Sequence, residues 1–189
     1  MKIKRYRLAG LIVICILAGG LIAYGYRVLL SPGQEARHEP IRKKLLPKLA
    51  KVRTHLYFLD EHYRFLKAEE RTLARQDNVV EHARSIIRAL IDGPEGKLVP
   101  TVPTETKLLS LFLSEDGIAY ADFDRAVRDK HPGGSLSELF TIFSLVNTLA
   151  LNIPEVEAVK ILIEGREAET LAGHIDTRFP FRPDIFMIK

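Results

Sequence analysis

Apolar residues recur along this chain in three rhythms, each predicting a different element. From residue 8 to residue 26 no charge interrupts the run. As a helix rising about 1.5 Å per residue it spans roughly 28 Å, close to the ~30 Å hydrocarbon thickness of a bilayer. Two later stretches repeat every 3.6 residues. Val79, Val80, Ala83, Ile86, Ile87, Leu90 and Ile91 form one buried helix face, capped by Asp77-Asn78 with Glu81 at the capping-box position and stopped by Gly93-Pro94. Leu136, Leu139, Phe140, Phe143, Val146, Leu149 and Ala150 form another, opened by Ser135-x-x-Glu138 as a capping box and ended by Pro154. This second helix is expected to pack centrally against a sheet.

Between the helices the rhythm is that of strands. Residues 54–60 read as a buried strand with residues 65–74 as its partner. Residues 107–114 and 118–123 form a hairpin about Glu115-Asp116-Gly117, whose Asp-Gly pair supplies the positive φ of a tight turn. Residues 160–164 and 167–171 form another about Gly165-Arg166. Pro100 and Pro103 bracket a stiff extended loop. The predicted fold is α+β: a largely antiparallel sheet of hairpins with two helices on one face, preceded by one N-terminal transmembrane helix.

Charge changes this picture by its distribution. The whole chain carries +4, but residues 1–54 hold twelve basic groups against Glu35 and Glu39, leaving residues 55–189 at −6. A mildly acidic domain lacks the electrostatic footprint of a nucleic-acid binder, so no nucleic-acid partner is expected. The chain divides into an anchor (1–30), a basic tether (31–53) interrupted by Pro40 and Pro47, and a domain (54–189). The tether reads as solvated linker, or as a stretch lying on anionic headgroups.

Tyr24, Tyr26 and Arg27 suit the headgroup level at the end of the anchor. The alternatives are a signal peptide cleaved near Ala23-Tyr24-Gly25 and a lipid-modified Cys15, which lies mid-run after Ile14 rather than after a small residue. Cys15 is the only cysteine, so the domain has no disulfide or thiolate metal site. Lys2, Lys4, Arg5 and Arg7 place the N-terminus in the cytoplasm, giving a single-pass protein of the cytoplasmic membrane with its domain extracytoplasmic.

Several runs resemble the GerMN domain, found in envelope proteins of many bacteria. They include Leu56-Tyr57-Phe58, Ala89-Leu90-Ile91-Asp92-Gly93-Pro94, Leu98-Val99-Pro100-Thr101-Val102-Pro103, Gly117-Ile118-Ala119-Tyr120-Ala121-Asp122-Phe123, Ser144-Leu145-Val146-Asn147-Thr148-Leu149 and Thr170-Leu171-Ala172-Gly173-His174-Ile175-Asp176. The resemblance covers about residues 54–177 and implies an α/β module without established catalysis, outside the cytoplasmic membrane and at times accompanying peptidoglycan amidase domains. In sporulating bacteria the namesake is linked to sporulation, germination and envelope assembly, of which the envelope location carries over to this chain and the sporulation role does not. This chain departs from the namesake in carrying one copy and no convincing lipobox.

Candidate chemistry is sparse. Asp122 and Asp124 share one face at a strand end, as a pair of carboxylates that divides acid and base roles would; otherwise Asp122 bonds a loop backbone and Asp124 caps a short helical turn. His174 and Asp176 are the most enzyme-like pair, a base with an orienting carboxylate, or else a polar knot pinning a terminus. His55, His62, His82 and His131 lack zinc spacing, and no cofactor or metal is expected. No serine lies in a G-x-S-x-G elbow, and Gly133-Gly134 reads as a hinge rather than an anion loop. Asn147, in an otherwise apolar helix, is expected to clamp a neighbouring loop. The reading is a non-enzymatic binding module with a membrane, and a protein partner or peptidoglycan component, as its partners. The alternative is a cell-wall hydrolase using His174, Asp176, Asp122 and Asp124.

Overall fold

The computed structural model describes residues 19, 20, 22, 24–27, 29 and 50–189. Most of the expected anchor and the tether to residue 49 lie outside the described residues. Those described between 19 and 29 are helical, and among the described residues no helix is long and apolar enough to cross a membrane.

The domain begins with an antiparallel hairpin, β1 (Lys51–Leu59) and β2 (Leu66–Ala74). β1 starts three residues ahead of the expected boundary, and its Leu56 and Phe58 are fully buried. α1 (Val79–Ile91) follows where the periodicity placed it. Asn78 Oδ1 accepts the N–H groups of Val80 and Glu81 at 2.9 and 3.1 Å, while Glu81 pairs with Arg84 at 3.2 Å. Ile86, Ile87 and Leu90 are sealed from water, each contributing about 1.5–3 kcal/mol of burial.

β3 (Leu108–Leu113) and β4 (Ile118–Phe123) form the expected hairpin. At the turn, Gly117 sits at φ +77°, and a Cβ there would meet the Glu157 side chain at 3.0 Å and the Glu155 carbonyl at 3.2 Å. The short α2 (Ala126–Asp129) leads to α3 (Ser135–Ala150), then β5 (Ala158–Ile163) and the two-residue β6 (Arg166–Glu167). A 3-10 turn, Ile185–Met187, lies near the C-terminus.

The α+β class and the largely antiparallel pairing hold, and the expectation of one sheet is corrected. Among the described residues there are two sheets, β1-β2 and β3-β4-β5-β6. β4 and β5 run parallel because α3 carries the chain back between them, as a parallel pair requires. α1 touches β1 and β3, α3 touches β1 and β5, and the two helices touch each other. One apolar core therefore joins the hairpin, both helices and the larger sheet.

Two further expectations fail for linked reasons. The second hairpin shrinks because residues 168–170 turn to the following segment, where the Ala168 carbonyl accepts from Thr177 Oγ1 at 2.7 Å and the Glu169 carbonyl accepts the Thr177 N–H at 2.9 Å, and the N–H groups of Leu171 and Ala172 go to the Glu138 carboxylate, 2.9 Å from each. The Ser135 capping box does not form. Gly134 at φ +88° occupies the cap position without a side-chain bond, since Glu138 is occupied elsewhere. Leu136, expected on the buried face, is exposed.

α3 also carries a polar row. Ser144 Oγ donates to the Tyr57 carbonyl at 2.6 Å, Thr148 Oγ1 accepts the Tyr57 N–H at 3.1 Å, and Asn152 just beyond the helix exchanges two bonds with the His55 backbone at 2.9 and 2.8 Å. Four helical residues rise about 6 Å and two strand residues about 6.6 Å. Side chains at positions 144, 148 and 152 thus track the open edge of β1, and Val99 completes it by exchanging backbone bonds with Leu59 at 3.1 and 2.8 Å.

Candidate functional site

The residues marked as candidate acids and bases are each engaged by the fold. Asp122 Oδ1 accepts the Gly165 N–H at 2.7 Å, the loop-backbone role that was its alternative. Asp124 Oδ1 accepts the Lys107 N–H at 2.9 Å, and α2 has no side-chain cap, so Asp124 ties β3 to β4 instead of capping a helix. Asp176 faces Arg178, whose guanidinium donates to it at 3.0 and 2.8 Å. That contact holds its carboxyl at about 2.

His174 turns to a different carboxylate. Its Nδ1 lies 3.3 Å from Glu138 Oε2, and its N–H donates to the same oxygen at 2.9 Å. Glu138 is fully buried. Burial alone pushes its carboxyl up, but the N–H groups of Ala172, Ile175, His174 and Leu171 more than offset this and hold it below its ordinary value. Sequence pattern hid this role: an acid in a first helical turn reads as a cap, and its partners lie more than thirty residues away.

His131 belongs to the same region. Its Nε2 is 2.9 Å from Thr141 Oγ1, and its Nδ1 accepts the Gly133 N–H at 3.0 Å. Burial, with the nearby His174, pushes its pKa down against the pull of Glu138, favouring the neutral ring. Gly133 and Gly134 are thus a turn held by His131 and Glu138. Asn147 behaves as expected: fully buried, it donates to the Asp184 carbonyl and accepts the Asp184 N–H, both at 2.9 Å, clamping the C-terminal segment. Among the described residues no three His, Cys, Asp or Glu side chains gather as metal ligands.

One open feature of the domain is an apolar cleft of about 590 Å³, within the 300–1,000 Å³ range of ligand sites. Leu59, Val99 and Phe140 form its floor; the Pro100–Pro103 stretch and Pro132 form its walls. Tyr63, 60% exposed, and Leu136, 56% exposed, stand at its mouth with Lys130 and Glu105. Tyr63 has φ +59°, a left-handed conformation uncommon outside glycine.

Several backbone groups around the cleft are consumed internally. Val99 pairs with Leu59, the Thr101 carbonyl accepts from Thr141 at 2.5 Å, and the Pro103 carbonyl accepts the Thr106 N–H at 3.0 Å. The cleft can therefore grip an apolar group by contact, with the Tyr63 hydroxyl, the Lys130 ammonium and the Glu105 carboxylate as polar handles. Sequence reading noticed the stiff Pro100–Pro103 loop but passed over Tyr63 and buried Leu136. The only available signal was the clustering of prolines 100, 103 and 132, which needs the fold to bring it together.

Comparison with known proteins bears on this architecture. The family model described as Germane, sporulation and spore germination, matches residues 55–169. A crystallised candidate lipoprotein from Clostridium perfringens is 27% identical with a TM-score of 0.52, over 70% of this chain and 88% of that one. The first GerMN domain of the sporulation protein GerM from Bacillus subtilis is 22% identical with a TM-score of 0.56, over 70% of this chain and 96% of that one. The tandem GerMN domains of the same protein give 20% and 0.53, over 71% of this chain and 46% of that one. At those identities the two GerM structures speak for the fold alone. No curated protein sequence matches the chain. Because the matched residues run from within β1 to just past β6, and so hold both sheets and the helices that build the cleft, the chain belongs to the Germane family of sporulation and spore germination domains.

Proposed function

We propose that this chain is a membrane-tethered, extracytoplasmic module of the bacterial cell envelope that binds and assembles, taking a protein partner or a peptidoglycan component in the apolar cleft. The observation that carries this reading is a contrast. Asp122, Asp124, Asp176 and Glu138 are committed to backbone or guanidinium partners, whereas Tyr63 and Leu136 stand exposed around a preformed apolar cavity. Exposed apolar side chains grouped about a cavity mark interaction sites. The uncharged run at residues 8–26 and the similarity to a candidate lipoprotein support the anchored, extracytoplasmic placement.

The test places a photoreactive residue at Leu136 of the full chain in cells, with the exposed turn residue Glu115 as control. A discrete adduct from position 136 and none from 115 is expected. Equal background labelling at both would refute the cleft as the docking site. Turnover of purified peptidoglycan by the wild-type chain, lost in His174→Ala with folding intact, would instead establish the hydrolase.

A further inference from the structure

We infer that the occupant of the cleft is a second copy of this chain, which inserts its own Ile185-Phe186 turn. The inference rests on the cleft being the docking site and adds the identity of what enters it.

The C-terminal segment is built to hold an apolar knob in water. Phe186 is 93% exposed and Ile185 62%, a presentation that costs solvation unless something covers it. The segment is nonetheless rigidly fixed. Asn147 grips both backbone groups of Asp184, and the Asp184 carboxylate accepts the Phe186 N–H at 2.9 Å, setting the 3-10 turn. The Lys189 N–H donates to the Leu66 carbonyl at 3.0 Å on the far side of the turn. A fully buried asparagine spent on one exposed turn makes that turn a constructed feature and not a frayed end.

The same chain offers the complement. Met187 and Ile188 pack on the small core that includes Leu59 and Phe140, and these two residues also floor the cleft. Knob and cleft therefore share one foundation, and the Asn147 clamp keeps the knob from folding back into its own molecule's cleft. The cleft's free chemistry is apolar contact rimmed by one cation and one anion, Lys130 and Glu105. The knob is an aliphatic and an aromatic side chain preceded by Asp184, an anion for the Lys130 side of the rim, while Arg182 is paired with Glu157 of its own chain at 3.4 Å.

Two side chains bury little area, so association between free domains should be weak. Copies tethered to one membrane meet at a high effective concentration, which strengthens such a contact without adding to it.

The test uses the full chain with Cys15→Ser, reconstituted in vesicles of phosphatidylethanolamine and phosphatidylglycerol. One population carries Lys189→Cys beside the knob, the other Lys130→Cys at the cleft rim, and a short bismaleimide is added. A mixed-population dimer exceeding either population alone by about tenfold is expected, falling to the single-population level when the Lys189→Cys copy also carries Phe186→Ser. Phe186 is too exposed for that change to disturb the fold, and retained circular dichroism checks it. No mixed dimer, or one that survives Phe186→Ser, overturns the inference. A photoadduct from Leu136 with some other molecule, in the absence of the mixed dimer, overturns the second copy while leaving the cleft as a docking site. No adduct of any kind defeats both.

Discussion

Replacing Glu138 by Gln isolates the physics of the buried carboxylate while keeping shape and helix propensity. In the wild type one oxygen accepts Leu171 and Ala172 N–H groups and the other accepts His174 N–H, all at 2.9 Å. In the variant the carbonyl oxygen still serves one side, but the amide NH2 faces a donor on the other. Bonds to a charged acceptor contribute about 1.5–3 kcal/mol and neutral ones about 0.5–1.5, while an unsatisfied buried group costs about 1–3. Two weakened bonds and one lost bond, less the cheaper burial of a neutral amide, give a destabilisation of about 3 kcal/mol. With a urea m-value of about 2 kcal/mol/M, the unfolding midpoint of the domain at pH 7 should fall by roughly 1.5 M. The pH dependence carries the sign. The folded carboxyl sits below its ordinary value of 4.5, so its contribution is complete above that value and disappears as pH falls through the folded one. Because Gln does not titrate, the gap between the two proteins should narrow steadily below about pH 4.5. A gap under about 0.5 kcal/mol at pH 7, or one that stays constant down to pH 3, would refute the account.

Thr148→Val keeps volume but strands the buried Tyr57 N–H, and should cost about 1–3 kcal/mol in urea unfolding, with the near-UV spectrum of the folded protein unchanged. Asn147→Ala removes both clamps on Asp184; a loss of about 2 kcal/mol is expected, together with rapid amide exchange confined to residues 184–188 and faster chymotrypsin cleavage after Phe186. Gly117→Ala combines a left-handed backbone, worth about 1–2 kcal/mol, with the close approach to Glu155 and Glu157, so thermal unfolding should shift down by several degrees.

Local signals were legible and non-local ones were not. Asn78 and the period of Val79 to Ile91 announced α1, and Asp116-Gly117 announced the β3–β4 turn, because each rests on contacts within a few residues. Asn147 was readable for another reason: a lone amide among apolar neighbours must find a partner. Glu138 was misread because Ser135-x-x-Glu138 has the spacing of a capping box, and nothing nearby reveals that residues 171–175 will claim the carboxylate. The parallel pairing of β4 with β5 depends on where α3 delivers the chain, which alternation in sequence does not encode. His174 was rightly seen as carboxylate-bound but given the wrong carboxylate, since Asp176 is adjacent in sequence and Glu138 only in space. The cleft was invisible because Tyr63, Pro100 and the Pro132–Leu136 stretch come from three separate segments.

The polar row of Ser144, Thr148 and Asn152 along β1 bears on the order in which the chain acquires structure. A hairpin of β1 and β2 alone would form early, since its strands are near in sequence, but its β1 edge would then invite any other extended chain. The groups that close that edge come from about 90 residues later, so a growing or partly folded chain passes through an interval in which the hairpin exists and its seal does not. Stability of the hairpin and docking of α3 are thereby joined in one cooperative step. Substitutions that delay α3 should reveal themselves first as aggregation during refolding, before any loss of the finished fold can be measured.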